Sequence, residues 1–174
     1  MAETDLLDQI SDFHDDSWGW AMNCCGGNPD EAGDVLQAAY TKAAQGRLAH
    51  AGRSSLKTWW FGVVRLTALE GRRKAARRRG LAGLAALHWR EWFGQASASA
   101  EQDDSTLLLH AALKSLSTRQ REVLHLVFYQ DLTIEEASAV MGVSLGSART
   151  HYQRGKQRLR TLIDPQPTGH AHAH

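Results

Sequence analysis

The sequence holds only two cysteines, and they are neighbours, Cys24 and Cys25. Adjacent residues reach disulfide geometry only with strain. No CxxC pair is present, so the chain reads as a reduced, cytoplasmic protein rather than a disulfide scaffold. Prolines number only three, and long stretches lack glycine. That excludes a turn-rich β fold and favours helices. No run of about 18 apolar residues exists, so no membrane insertion is expected. The first 34 residues contain no Lys or Arg, and they lack the basic start and apolar run of a signal peptide. Neither a GxxxxGK[ST] phosphate loop nor a GxGxxG fingerprint occurs. No carboxylate, histidine and nucleophile fall into a recognisable catalytic motif. The expectation is therefore a non-enzyme with no cofactor. His170, His172 and His174 alternate at the end of the chain. They would share one side of an extended strand, but the reading is a disordered tail with no metal site.

What is present is segregated charge. Residues 1–34 carry nine acids, residues 35–99 carry twelve Lys or Arg against Glu70 and Glu91, and residues 100–174 balance at eight of each sign. The net charge of +1 thus conceals an acidic front and a basic middle. Such asymmetry points to two partners of opposite charge.

Apolar periodicity predicts helices throughout. Residues 5–24 read as one helix ended by Gly26 and Gly27. Asn28, Pro29 and Glu31 form a start signal for a second. Ala32, Val35, Leu36, Ala39 and Ala43 make its apolar stripe, and Asp34, Gln37 and Thr41 share another face. After a polar loop, Gly46 to Ser54, either Ser54 or Ser55 can cap a helix with Leu56, Trp59, Trp60, Val63, Val64 and Thr67 inward. Trp59 reads as core, and Trp60 stands equally for core and for DNA contact. The same helix runs into Arg72, Arg73, Lys74, Arg77, Arg78 and Arg79, a basic cluster suited to nucleic acid. Residues 80–104 read as a linker, with a short amphipathic helix over 81–93. Trp89, Trp92 and Phe93 there would either form a sticky surface needing a partner or pack on the first domain.

The last third carries the clearest signals. Ser105 can cap a helix through Leu116. Ser117 with Gln120, and Thr133 with Glu136, form capping boxes, and Ser144 caps a long final helix. Gly142 sits where a left-handed turn needs no Cβ. A short helix, a Gly turn and a longer basic helix spell helix-turn-helix. Ala148, Tyr152 and Leu159 point inward. Ser147, Arg149, Thr150, His151, Gln153, Arg154 and Arg158 are left for base edges and phosphates of duplex DNA. His110 and His125, set among leucines, read as core or boundary residues.

These residues resemble a known family. The segment LKSLSTRQREVLHLVFYQDLTIEEASAVMGVSLGSARTHYQRGKQRLR is similar to the fourth region of bacterial sigma factors, the sigma-70 family, and within it the extracytoplasmic-function (ECF) group. Arg121, Glu122, Val123, Leu124, Glu135, Glu136, Gly142, Val143, Ser144, Gly146, Arg154 and Leu159 match in register. DEAGDVLQAAYTKA and SSLKTWWFGVVRLTALEGRRKAARRR resemble the second region more loosely. The resemblance implies an all-α fold, with an N-terminal helical bundle (1–79), a flexible linker (80–104), a four-helix helix-turn-helix domain (105–163) and a disordered tail (164–174). It implies a factor that directs core RNA polymerase to promoters and helps to melt DNA. Asp34, Gln37 and Thr41 would dock on the coiled coil of the polymerase's largest subunit. The loop from Gly46 to Ser54 would capture a flipped base, and Arg53, Lys57, Trp60, Arg65, Arg72 and Arg73 would meet the minus-ten element. The final helix would read the minus-thirty-five element and its domain would touch the flap of the second-largest subunit. An anti-sigma factor is a further implied partner. Leu66 for Asn, Gly62 for Arg, Ser138 for Ala, Ala148 for Val and His151 for Arg depart from the family pattern and bear on promoter preference. The rival reading is a stand-alone helix-turn-helix regulator that needs no core polymerase. It lacks a sensor or dimerisation module in the first domain.

Overall fold

A computed structural model describes residues 3–79, 112–113 and 115–163. Among these, every regular element is a helix: α1 Glu3–Ser11, α2 His14–Cys24, α3 Pro29–Ala44, α4 Leu56–Arg79, α5 Thr118–Phe128, α6 Ile134–Met141 and α7 Leu145–Ile163. The expected linker helix, the Ser105 cap, His110 and the histidine tail lie outside the described residues.

Helix ends follow local chemistry. Asn28 accepts a hydrogen bond from the Glu31 amide, with Pro29 in the first turn of α3. Ser55, not Ser54, caps α4 by accepting from the Thr58 amide at 3.2 Å. Both predicted capping boxes are closed, Ser117 with Gln120 and Thr133 with Glu136. The Thr133 amide and hydroxyl both donate to Glu136, which holds that carboxyl below its usual pKa. Gly142 takes φ 63° at the end of α6, where a side chain would be strained.

The predicted single helix over 5–24 is broken in two. Phe13 leaves the helical path at φ −99°, ψ 17°, and the chain turns there. The turn lets Ile10 of α1 and Ser17, Trp20, Ala21 and Cys24 of α2 all reach the interior. At about 100° per residue these positions stay on one face, so the break changes the direction of the chain and not the phase of the apolar stripe.

α1 to α4 pack as one bundle and α5 to α7 as a second helical unit. In the first, α4 is pinned to α2 by two indole N–H groups. Trp20 Nε1 donates to the Phe61 carbonyl at 3.0 Å, and Trp60 Nε1 donates to Ser17 Oγ at 2.8 Å. In the second, α7 crosses α5 at Gly155. A Cβ there would stand 2.9 Å from Leu124 Cδ1 and 3.4 Å from Gln120 Cβ. Hydrogen sets this approach: Gly155→Leu is expected to force the helices apart and cost about 1–3 kcal/mol. Gly155→Ala should be near neutral, because about 1 kcal/mol of helix propensity offsets moving one leucine methyl. Denaturant unfolding of both variants checks this, and equal losses would show that the helix spacing is not set at this residue.

The two units also meet each other. The buried apolar side chains form one continuous cluster that includes Trp20 and Val64 from the first and Leu126 and Val140 from the second. The expected linker, 80–104, lies outside the described residues. The described units meet where α4 packs on α6 and α2 on α5.

Candidate nucleic-acid interface

The final helix begins in the turn after Gly142. The Ser147 amide donates to Ser144 Oγ at 3.2 Å, and Ser144 Oγ donates to Ser147 Oγ at 2.9 Å. The inward anchor is Ala148, fully buried against α6 and α5. Tyr152 stacks on Phe128 with ring centroids 6.0 Å apart. With those positions turned in, Ser147, Arg149, Thr150, Gln153, Arg154 and Arg158 are exposed, and His151 is half-buried. Thr150 donates its hydroxyl to the Gly146 carbonyl at 2.9 Å, and Arg158 Nε donates to Ser115 Oγ at 3.3 Å. Arg158 is thereby held to the start of α5's segment. The others form an unobstructed polar and basic stripe.

On α3, Asp34, Gln37 and Thr41 are all exposed and lie along one face. Thr41 donates to the Gln37 carbonyl at 2.7 Å. The loop before α4 folds over Trp59: His50 lies 5.4 Å from that ring and its Nε2 is 2.9 Å from the Ser54 carbonyl. Arg53 in this loop and Arg73 on α4 are exposed, and Arg72 is half-buried.

Three residues expected at melted DNA are placed otherwise. Trp60, not Trp59, is the fully buried member of the pair. Its ring packs 5.0 Å from Tyr40 and its donor is used by Ser17, so it is a core residue of the first bundle. Arg65 is 5% exposed and forms a two-point ion pair with Glu122 of α5, Nε to Oε1 at 3.1 Å and Nη2 to Oε2 at 3.4 Å. Lys57 is half-buried, pairs with Asp16 at 2.9 Å and donates to the Gln130 carbonyl at 3.2 Å. Arginine is almost never buried without a partner, and here the partner comes from the other helical unit.

More residues join the two units, and of these the sequence pattern points only to Glu136, as part of a capping box, and to His125, as a core or boundary residue. Gln130 Nε2 donates to the Asp16 carbonyl at 3.3 Å. Thr58, buried on α4, reaches Glu136 at 3.5 Å. The His125 ring of α5 lies 5.4 Å from Trp20 of α2. Arg119 completes the Glu122 site at 3.2 Å and also donates to the Met141 carbonyl.

Burial pushes the Cys24 thiol well up and the Cys25 thiol up to about 12. Both cysteines are free and buried, so neither is a reactive nucleophile. Among the described residues no group of His, Cys, Asp and Glu could hold a metal ion. No described helix is long and apolar enough to cross a membrane.

Two small all-helical units, one presenting a capped helix-turn-helix with an outward basic stripe, define a DNA-binding protein of the helix-turn-helix class. The family described as sigma-70, region 4 matches residues 106–159. The chain is 24% identical over 160 residues to RNA polymerase sigma factor SigV of Bacillus subtilis, covering 92% of this chain and 89% of that protein. It is 27% identical over 137 residues to ECF RNA polymerase sigma factor EcfG of Rhodopseudomonas palustris, covering 79% and 74%. In two shorter matches to sigma factors, at 31% and 36% identity, the chain spans only 40% and 37% of the relatives' lengths. The fold is similar to the sigma factor RpoE of Bartonella quintana, solved with the anti-sigma factor NepR, at TM-score 0.64 and 23% identity over 92% of this chain and 99% of that one. Residues 106–159 thus match the sigma-70, region 4 family, and the chain as a whole is similar to ECF-type RNA polymerase sigma factors.

Proposed function

We propose that the chain directs core RNA polymerase to promoters through two faces, acting by binding and not by catalysis. The observation that carries this reading is the outer face of α7, where Ser147, Arg149, Thr150, Gln153 and Arg154 stay exposed beside a helix start fixed by Ser144 and Gly142. A helix entering the major groove uses its N-terminal residues on base edges. Arg149 and Arg154 suit guanine or phosphate, and Gln153 suits adenine. His151, half-buried, has a lesser share. This face would read the minus-thirty-five element.

The exposed face of α3, with Asp34, Gln37 and Thr41, is the proposed docking site for the coiled coil of the polymerase's largest subunit. Arg53, Lys57, Arg72 and Arg73, with Arg65 once released, would meet the minus-ten element. Contact between the second unit and the flap of the second-largest subunit belongs to the same reading. So does control by an anti-sigma factor, which the RpoE complex supports by likeness of fold. The region of polymerase action is the cytoplasm.

Reconstitution with core polymerase and a promoter selected by sequencing of run-off transcripts tests the reading. Arg149→Ala and Arg154→Ala should each lose about 1–3 kcal/mol of promoter discrimination or affinity, with core binding intact. Asp34→Ala with Gln37→Ala should weaken capture of core and leave duplex binding by the second unit unchanged. Tight promoter binding without any joining to core would favour the stand-alone regulator instead.

A further inference from the structure

Two faces of α4 are covered within the protein. Trp60, Phe61, Val64 and Ala68 are buried in the first bundle, and Thr58 and Arg65 turn to the second unit. On the remaining face, steps of three, four and seven residues bring Trp59, Gly62, Leu66, Arg73 and Arg77 into one line. The middle of that line is apolar and open. Leu66 is 58% exposed. Gly62, one turn earlier, has no side chain, and a Cβ placed there would meet nothing within 4 Å. Trp59, half-buried beside His50, closes one end. Arg73 and Arg77 are exposed at the other end, where Arg77 Nε donates to the Arg73 carbonyl at 3.4 Å. The acid beside the line, Glu70, is paired with Lys42 at 2.6 Å. A lone exposed leucine is ordinary on a protein surface. Here it stands next to an empty position and in line with two cations.

We propose that Gly62 and Leu66 form an apolar seat for one unpaired thymine of the melted minus-ten element, chosen by its C5 methyl and not by a hydrogen bond. The proposal rests on the promoter reading given above and names what α4 selects there. A strand following the line would set its phosphates near Arg73 and Arg77, which neutralise them without regard to sequence. Its bases would then lie over the apolar middle. Glycine lets a ligand approach the backbone closely, and the flat face of any base can pack on apolar and aromatic surface. Gly62 and Leu66 stand about 6 Å apart along the helix axis, so one base can reach both. Leucine adds the selection. It neither donates nor accepts a hydrogen bond, and among the four bases only thymine carries a methyl for it to touch. Burying that one carbon is worth about fourfold in binding. The cations in line with the seat favour a polyanion over an apolar protein partner.

Replacing thymine by uracil removes the methyl and leaves the pairing edge intact, so it isolates the contact. The full chain is combined with core polymerase on a promoter identified by sequencing of run-off transcripts. Each thymine of the minus-ten element is replaced in turn by deoxyuridine, and the rate of specific transcript formation is measured. At one position the wild type should lose about fourfold. Leu66→Ala and Leu66→Asn should show no loss at that position, while core capture and helix content by circular dichroism stay unchanged. Gly62→Leu fills the gap at an open helical position and should erase the uracil effect as well. Equal uracil losses in wild type and Leu66→Ala overturn the seat, as does a wild type with no uracil loss at any position. A minus-ten element without thymine overturns it too. Poor core capture by Leu66→Ala would assign the residue to a protein contact and has the same consequence. If the wild type neither joins core nor yields specific transcripts, the promoter reading itself fails, and the seat with it.

Discussion

Trp60→Ala is expected to lower the thermal midpoint by about 10 °C or more, from a loss of about 3–5 kcal/mol. The ring is fully buried at the junction of α2, α3 and α4. It fills space beside Tyr40 and Trp59, and its N–H is the donor to Ser17. Truncation leaves a large cavity and a buried hydroxyl short of one partner, two penalties that add. Trp60→Phe keeps most of the volume and loses only part of this. Differential scanning calorimetry reads the order wild type, Phe, Ala. A base-stacking tryptophan would behave in the opposite way. Its alanine variant would melt like the wild type and fail only in opening promoter DNA. That result would return Trp60 to the DNA-facing surface and undo the assignment made from its burial.

The pair Trp59 and Trp60 shows where sequence reasoning runs out. Two identical neighbours differ by about 100° around a helix, and both can sit at the edge of one stripe. The choice is made by what lies opposite. Ser17 and Tyr40 face position 60, and the His50 loop covers position 59. By contrast the capping boxes at Ser117 and Thr133, the Asn28 cap and the left-handed Gly142 were legible, because each is decided within four residues of chain. The outward stripe of α7 was legible for a related reason: Ala148 and Tyr152 fix the helix phase, and the rest follows from 3.6 residues per turn. Arg65 could not be read that way. Its counter-ion is 57 positions away, on a helix whose docking leaves no trace in local periodicity. An arginine with no visible partner reads as exposed, and DNA is then the natural acceptor. The break at Phe13 escaped notice because the apolar pattern on either side continues almost in phase.

Lowering pH from 7 to 5 is expected to cost the folded protein about 2 kcal/mol through His125 alone. The ring is wedged between Trp20 at 5.4 Å and Tyr129, stacked at 5.3 Å and 10°, with Gln130 Nε2 3.4 Å from its Nε2. Burial drives its pKa from 6.5 down to about 4, and the opposing pull of Asp16, itself paired to Lys57, is too small to restore it. The sign follows from proton counting. In the unfolded chain the ring binds a proton below about pH 6.5, while the folded protein refuses it until about pH 4. Stability from this group is therefore whole above pH 6.5 and is lost progressively as pH falls toward 4. Glu136, whose carboxyl is also held low, loses its share only below its ordinary range near 4.5, so the window from pH 7 to 5 isolates the histidine. Urea unfolding at the two pH values should show the drop, and His125→Phe, which keeps an aromatic ring against Trp20, should abolish most of it. An equal drop in both proteins would assign the effect elsewhere. Because Trp20 belongs to α2 and His125 to α5, this proton acts where the two units meet.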